Sequence, residues 1–224
     1  MPRETYQRRL DQLSADVAEM GELVVDRVET SLSALETGEE ELARAVIEGD
    51  AGINETYLDL EGDCIELFAL QQPVAGDLRF LTSTFKILTD LERIGDLATN
   101  LGEYARSAGG DTTPDIGVAP IGRDAVGLVE RSLDAYADGD VEACRSIAAA
   151  DDEIDTLCQR ASQRVVRDLI EREADADLWD IEQLLDDVSA LLLTIRDIER
   201  IADHAVNIAA RTLYMVENDP ELLY

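Results

Sequence analysis

The chain has 224 residues, enough for one or two domains with a substantial core. Fifty acids against nineteen bases leave a formal net charge of -31, Lys86 is the only lysine, and aromatics make up 4%. That balance excludes recognition of nucleic acid through its phosphates, which needs a basic stripe. The aliphatic bias favours packed helices over a sheet sandwich.

A folded chain of this mass exposes roughly 10,000 Å², so its acids sit about 14 Å apart. Screening reaches about 8 Å at physiological ionic strength and about 3 Å at 1 M. The acids repel one another in ordinary buffer and barely do so in molar salt. The composition therefore reads as halophilic, an adaptation to a salt-rich cytoplasm.

In chain order, the N-terminus "MPRETYQRRLDQL" has no apolar leader core, and the first apolar-periodic run ends at "ETGEE" near Gly38. A second helix is predicted up to "QQPVAGD" near Pro73 and Gly76, and a third from there to about residue 107. "SAGGDTTPDIGVAP" then reads as a linker. The second half repeats the pattern, with breaks at "ADGD" near Gly139 and "READAD" near Ala174. The longest candidate for a membrane span, "ALLLTI", is far too short. Cys64, Cys144 and Cys158 are odd in number, lack Cys-x-x-Cys spacing and lie in helical stretches, so they are expected as buried free thiols. A cytoplasmic location without membrane insertion is expected.

The halves are duplicates. "ALETGEEELARAVIEGDAGIN" (34–54) aligns without a gap on "AYADGDVEACRSIAAADDEID" (135–155). "DLERIGDLATN" (90–100) returns as "DIERIADHAVN" (197–207), and the offset grows from 101 to 107 between the second and third helices. The expected fold is all-α: two tandem antiparallel three-helix bundles related by internal duplication. The expected domains are 1–107 and 120–224, with 108–119 as linker.

On a helical wheel, Ile87, Leu91, Ile94, Ala98 and Leu101 share an apolar arc. Glu92, Asp96 and Asn100 form a stripe on the other side, with Arg93 at its edge and Asp90 at the border of the arc. The second copy places Ile198, Ile201, Ala205 and Ile208 inside, and Glu199, Asp203 and Asn207 outside. Like charges four apart weaken a helix slightly, so two such stripes call for a reason. Stripe neighbours lie about 5–6 Å apart at Cβ, and their oxygens can converge on a metal ion if another helix completes the shell. Glu22 with Asp26, or Glu29 with its counterpart Glu130, are the donors considered for that purpose. The five polar identities persist while neighbouring positions diverge, Thr99 against Val206 and Leu97 against His204.

The repeated D-[LI]-E-R-I-[GA]-D-x-A-x-N motif, the "QQPVAGDLR" turn of the first half and the two-bundle layout closely resemble the PhoU family. The resemblance covers nearly the whole chain, although the second half carries "RDLIEREADADLWDIEQ" in place of the turn. It implies a cytoplasmic phosphate-transport accessory protein, a negative regulator of phosphate uptake and of the phosphate-starvation response. It implies contact with the ATPase subunit of the phosphate ABC transporter, a sensor kinase or transcriptional regulator as signalling partner, and a homodimer. It also implies metal at the repeated motif: Glu92 and Asp96 in the first bundle, Glu199 and Asp203 in the second, with Asp90, Asp197, Asn100 and Asn207 as additions. Iron or zinc in a multinuclear cluster, or otherwise a divalent cation such as Mg, is the expected cofactor. Arg93 and Arg200 are expected as counter-charges.

Three rival readings remain open to the sequence. A di-iron oxidase needs Glu-x-x-His motifs facing a dry bundle interior, and the sole histidine, His204, directly follows Asp203. A phosphotransfer module using His204 would set it among carboxylates that repel a phosphoryl group, so a satisfied border histidine is expected instead. A PhoU-like regulator of a different transporter is the third reading. No enzyme activity is expected.

Overall fold

The computed structural model describes residues 3–70, 74–107, 117–173 and 178–223. The "QQP" part of the first-half turn, the linker residues 108–116 and the "ADAD" break lie outside them. The described residues form helices and no strand. These are α1 (Arg3–Thr37), α2 (Glu40–Glu48), α3 (Asp50–Leu70), α4 (Ala75–Ser107), α5 (Val118–Asp138), α6 (Val141–Glu173) and α7 (Leu178–Glu217).

The first turn of each bundle closes on a glycine. Gly38 and its repeat counterpart Gly139 adopt φ of 69° and 66°, a left-handed conformation that favours glycine. Asp140 then accepts backbone N–H groups from Glu142 and Ala143 at 3.0 Å each, capping α6. Beyond these caps the repeats differ. Gly49 interrupts the first bundle's second helix into α2 and α3, whereas its counterpart Ala150 lies within unbroken α6. Helix α5 begins at Val118, two residues before the expected start of the second domain at 120, and Pro120 is accommodated in its first turn, where no backbone donor is needed.

The fold is two three-helix bundles in tandem, α1 with α2–α3 and α4, then α5 with α6 and α7. They share one apolar core rather than two, because α4 packs on α7 and α1 on α5. Along α1 the buried positions Tyr6, Leu10, Leu13, Val17, Met20, Val24, Val28 and Leu32 recur every three or four residues. Helices α3 and α6 flank the shared core on either side. Cys64, Cys144 and Cys158 are buried free thiols, and burial pushes them up to about 12, 11 and 12.

Candidate functional site

The two copies of the repeated motif meet along the α4–α7 contact, and each anchors the other's first aspartate. Asp90 on α4 lies 2.8 Å from His204 Nδ1 and accepts Asn207 Nδ2 at 3.3 Å, both from α7. Asp197 on α7 accepts Asn100 Nδ2 at 3.2 Å and the Tyr104 hydroxyl at 3.0 Å, both from α4. Arg196 adds two bonds to Asp197 at 3.1 and 2.9 Å, and Arg200 Nη1 stands 3.7 Å away. The exchange is reciprocal, since Asn100 and Asn207 are repeat counterparts.

These contacts correct the helical wheel. Asp197 is fully buried rather than at a border, and Leu97 and His204, the diverged neighbours, are buried too. An isolated bundle would leave this side of α4 to solvent, but the second bundle covers it. Asp90, Asp197, Asn100 and Asn207 therefore spend polar atoms across the bundle interface. His204 is the satisfied histidine that the sequence led us to expect.

Glu92 and Asp96 face a cleft of about 500 Å³ lined also by Asp50, Arg93, Thr99, Asn100 and Arg200. Desolvation, then Asp96, raises the Glu92 carboxyl, while Arg93 lowers it. Desolvation and Asp50 raise Asp96, opposed by Arg93 and Arg200. Arg200 thus reaches from the second bundle into the acidic cleft of the first.

Glu199 and Asp203 instead meet Asp151 and Asp155 of α6. Burial raises Asp151 to about 6, reinforced by Asp155, Asp203, Asp152 and Glu199. Desolvation and Asp155 also raise both Glu199 and Asp203. Asp151 Oδ1 is buried without a hydrogen-bond partner.

The acids named above as neighbouring-helix donors lie apart from the two stripes. Glu22, Asp26 and Glu130 line a separate cavity of about 660 Å³ between α1 and α5, and Glu29 is exposed on α1. The neighbouring-helix acids beside the stripes are Asp50 in the first bundle and Asp151 in the second. Their signal was present in the gapless repeat alignment, where position 50 pairs with position 151 as the same acid.

Among the described residues, no three His, Cys, Asp or Glu side chains converge closely enough to hold a metal ion as they stand. The two clusters differ in how well a cation would suit them. The first already has guanidinium groups among its carboxylates, from Arg93, Arg200 and, beside Asp50, Arg27. The second has four carboxylates, with His204 and Arg200 acting on Asp203 alone, and its Asp151 Oδ1 is buried without a hydrogen-bond partner. A hard divalent cation fits that donor set.

A family model described as the PhoU domain matches residues 17–105 and again 118–212. A phosphate-specific transport system accessory protein PhoU homolog 1 from Methanothermobacter thermautotrophicus is 31% identical over 218 residues, 96% of this chain and 95% of that protein. A PhoU homolog of the same description from Pseudomonas aeruginosa is 32% identical, covering 94% of this chain and 85% of the other. The crystal structure of PhoU from Pseudomonas aeruginosa superposes with a TM-score of 0.87 at 29% identity, covering 96% of this chain and 100% of that one. That of the phosphate transport system regulatory protein PhoU from Streptococcus pneumoniae, at 24% identity, shares the fold with a TM-score of 0.85. With both repeats matched in register and its relatives covered almost end to end, the chain belongs to the PhoU family.

Proposed function

We propose that this protein is a phosphate-transport accessory protein that restrains phosphate uptake by contact with the ATPase subunit of a phosphate ABC transporter. The observation that carries the reading is the match of both repeats to the PhoU domain, together with relatives of that described role over nearly the whole chain. No described helix is long and apolar enough to cross a membrane, so contact with a partner is the route by which it would act. Leu58 and Ile65, 62% and 56% exposed on α3, support a surface made for protein contact. In this reading the protein works in the cytoplasm as a homodimer, negatively regulating the phosphate-starvation response through a sensor kinase or transcriptional regulator.

A divalent cation belongs to the same proposal. Glu199 and Asp203, with Asp151 and Asp155, would hold it, and its charge would offset carboxylate repulsion between α6 and α7. The all-oxygen donors suit Mg or Mn better than an iron or zinc cluster.

The test is phosphate uptake in a strain lacking the protein, grown with phosphate in excess. Unrestrained uptake, reversed on re-expression, is the expected result. Normal uptake would overturn the phosphate assignment and leave regulation of another transporter as the reading.

A further inference from the structure

Among the described residues, a buried serine or threonine hydroxyl usually has its partner. Ser31, Ser132, Thr194 and Thr212 donate to carbonyls of their own helices at 2.7, 2.7, 2.8 and 2.9 Å, and Thr84 meets the Tyr136 hydroxyl at 3.0 Å. Ser83 on α4 is the exception: it is 2% exposed and its Oγ has no partner. One turn earlier on the same helix face, Arg79 buries its Nε, also without an acceptor. Polar groups left unmatched in this way are costly, and each calls for something to meet it.

The α4–α7 contact sets a second arginine at the same level. Asp90 meets His204 and Asn207, while Asn100 and Tyr104 meet Asp197, so the two helices run antiparallel. Ser83 lies seven residues before Asp90, and Arg211 seven after His204. Seven residues make two turns, about 10.5 Å of rise, so each keeps the face of the residue it is counted from. Ser83 and Arg211 therefore stand opposite each other, with Lys86 on the Ser83 face one turn on. Among the described residues, no carboxylate is within ion-pair distance of Arg79, Lys86 or Arg211. The acids nearest to them in the chain are already taken, Asp77 by Arg3, Asp90 by His204 and Glu217 by Arg145. In a chain with fifty acids, three cations at one end of one seam are left for an anion from outside.

The other end of the seam has no equivalent. At the motif's offset of 107, Arg79, Ser83 and Lys86 become Asp186, Ala190 and Leu193, and Arg211 stands where the first half has Tyr104. Arg79 also closes the "QQPVAGDLR" stretch that only the first half carries, so the feature occurs once per chain. We propose that Arg79, Ser83, Lys86 and Arg211 form a binding site for a small tetrahedral oxyanion of the phosphate type. Each guanidinium can fork onto two oxygens, and the ammonium and hydroxyl can reach the others. The net charge of -31 repels an extended acidic partner, whereas a single ion lies within the cations' local reach of about 8 Å. The site goes beyond the transporter-contact reading and does not depend on it.

The experiment is calorimetric titration of the full chain with inorganic phosphate in about 1 M KCl, where diffuse attraction is screened and direct hydrogen bonds persist. Wild type is expected to take up one saturable equivalent per chain. Arg211→Gln should weaken binding about tenfold or more, the loss of one charge-assisted hydrogen bond. Lys86→Gln should weaken it as well, and since Lys86 is exposed that variant does not depend on repacking the core. Arg131→Gln, in the cleft between α1 and α5, should bind as wild type does. Methyl phosphate, which gives up one oxygen to carbon, should bind more weakly than phosphate. No saturable binding, or wild-type affinity in both Arg211→Gln and Lys86→Gln, would overturn the proposal. So would tighter binding of methyl phosphate, which would assign the site to a phosphorylated partner. The readout is phosphate bound by the purified chain, so it stands or falls apart from uptake in cells.

Discussion

Leu32 fills the space that a Cβ would need at Gly122, its Cδ2 lying 2.4 Å from that point. The repeat returns the contact, since a Cβ at Gly21 would meet Leu133 Cδ2 at 2.5 Å. Helices α1 and α5 thus approach through two glycines, each covered by the other helix's leucine. Leu32 is 1% exposed and has nowhere to retreat. Gly122→Ala is therefore expected to destabilise by about 1–3 kcal/mol through overpacking, despite the better helix propensity of alanine. Thermal melting should show a lower midpoint; an unchanged or raised midpoint would mean that the crossing can spread without cost.

The reciprocal aspartates predict a different kind of loss. Asp197→Ala leaves Asn100 and Tyr104 without their acceptor inside the α4–α7 contact, at a cost of about 1–3 kcal/mol. Arg196 and Arg200 are 55% and 44% exposed and return to water, so they add little to that cost. Asp197→Asn keeps an acceptor oxygen and should lose less. Urea unfolding of the two variants would test this order, and equal losses would assign the effect to charge rather than to hydrogen bonding.

Asp151 gives the metal-free protein a pH signature. Burial and neighbouring acids raise its folded carboxyl to about 6, above the ordinary value of about 3.9 expected when unfolded. The folded state then binds the proton more readily, so stability rises as pH falls through about 6 and levels off near 4. Glu199 and Asp203 are raised as well and act in the same direction. With chelator present, the melting temperature should climb from about pH 7.5 to about pH 5.5, and Asp151→Asn should flatten part of that climb. A fall over the same interval would contradict the assignment.

Net charge predicts a salt requirement. At -31, self-repulsion across the surface should weaken folding near about 0.1 M KCl and be screened at about 2–3 M. Circular dichroism across that range is the check, and a flat helical signal from low to high salt would remove the halophilic reading.

Much of the fold was legible because helices report themselves locally. The three-to-four-residue spacing along α1 marks a buried face, and Gly38 and Gly139 mark left-handed stops. The gapless match of residues 34–54 to 135–155 revealed the duplication. Half of each acidic cluster was legible too, since Glu92 with Asp96 and Glu199 with Asp203 lie one turn apart on single helices. The other half was not, because Asp50 and Asp151 come from helices more than forty residues earlier in the chain. Glu22, Asp26, Glu29 and Glu130 were equally plausible on the wheel, and only helix packing separates them from the cluster.

The sequence alone determined what depends on near neighbours and on sums: helices, their stops, the duplication, the repeated motif and the net charge. Only the tertiary structure decided which faces of those helices meet. It buried Asp197, paired Asp90 with His204, laid Arg27 across Gly49 beside Asp50, and left Asp151 without a donor. The physical reason is that periodicity sets a side chain's direction about its own helix axis. Its partner depends on how two helices cross, and that is settled by packing across the whole shared core.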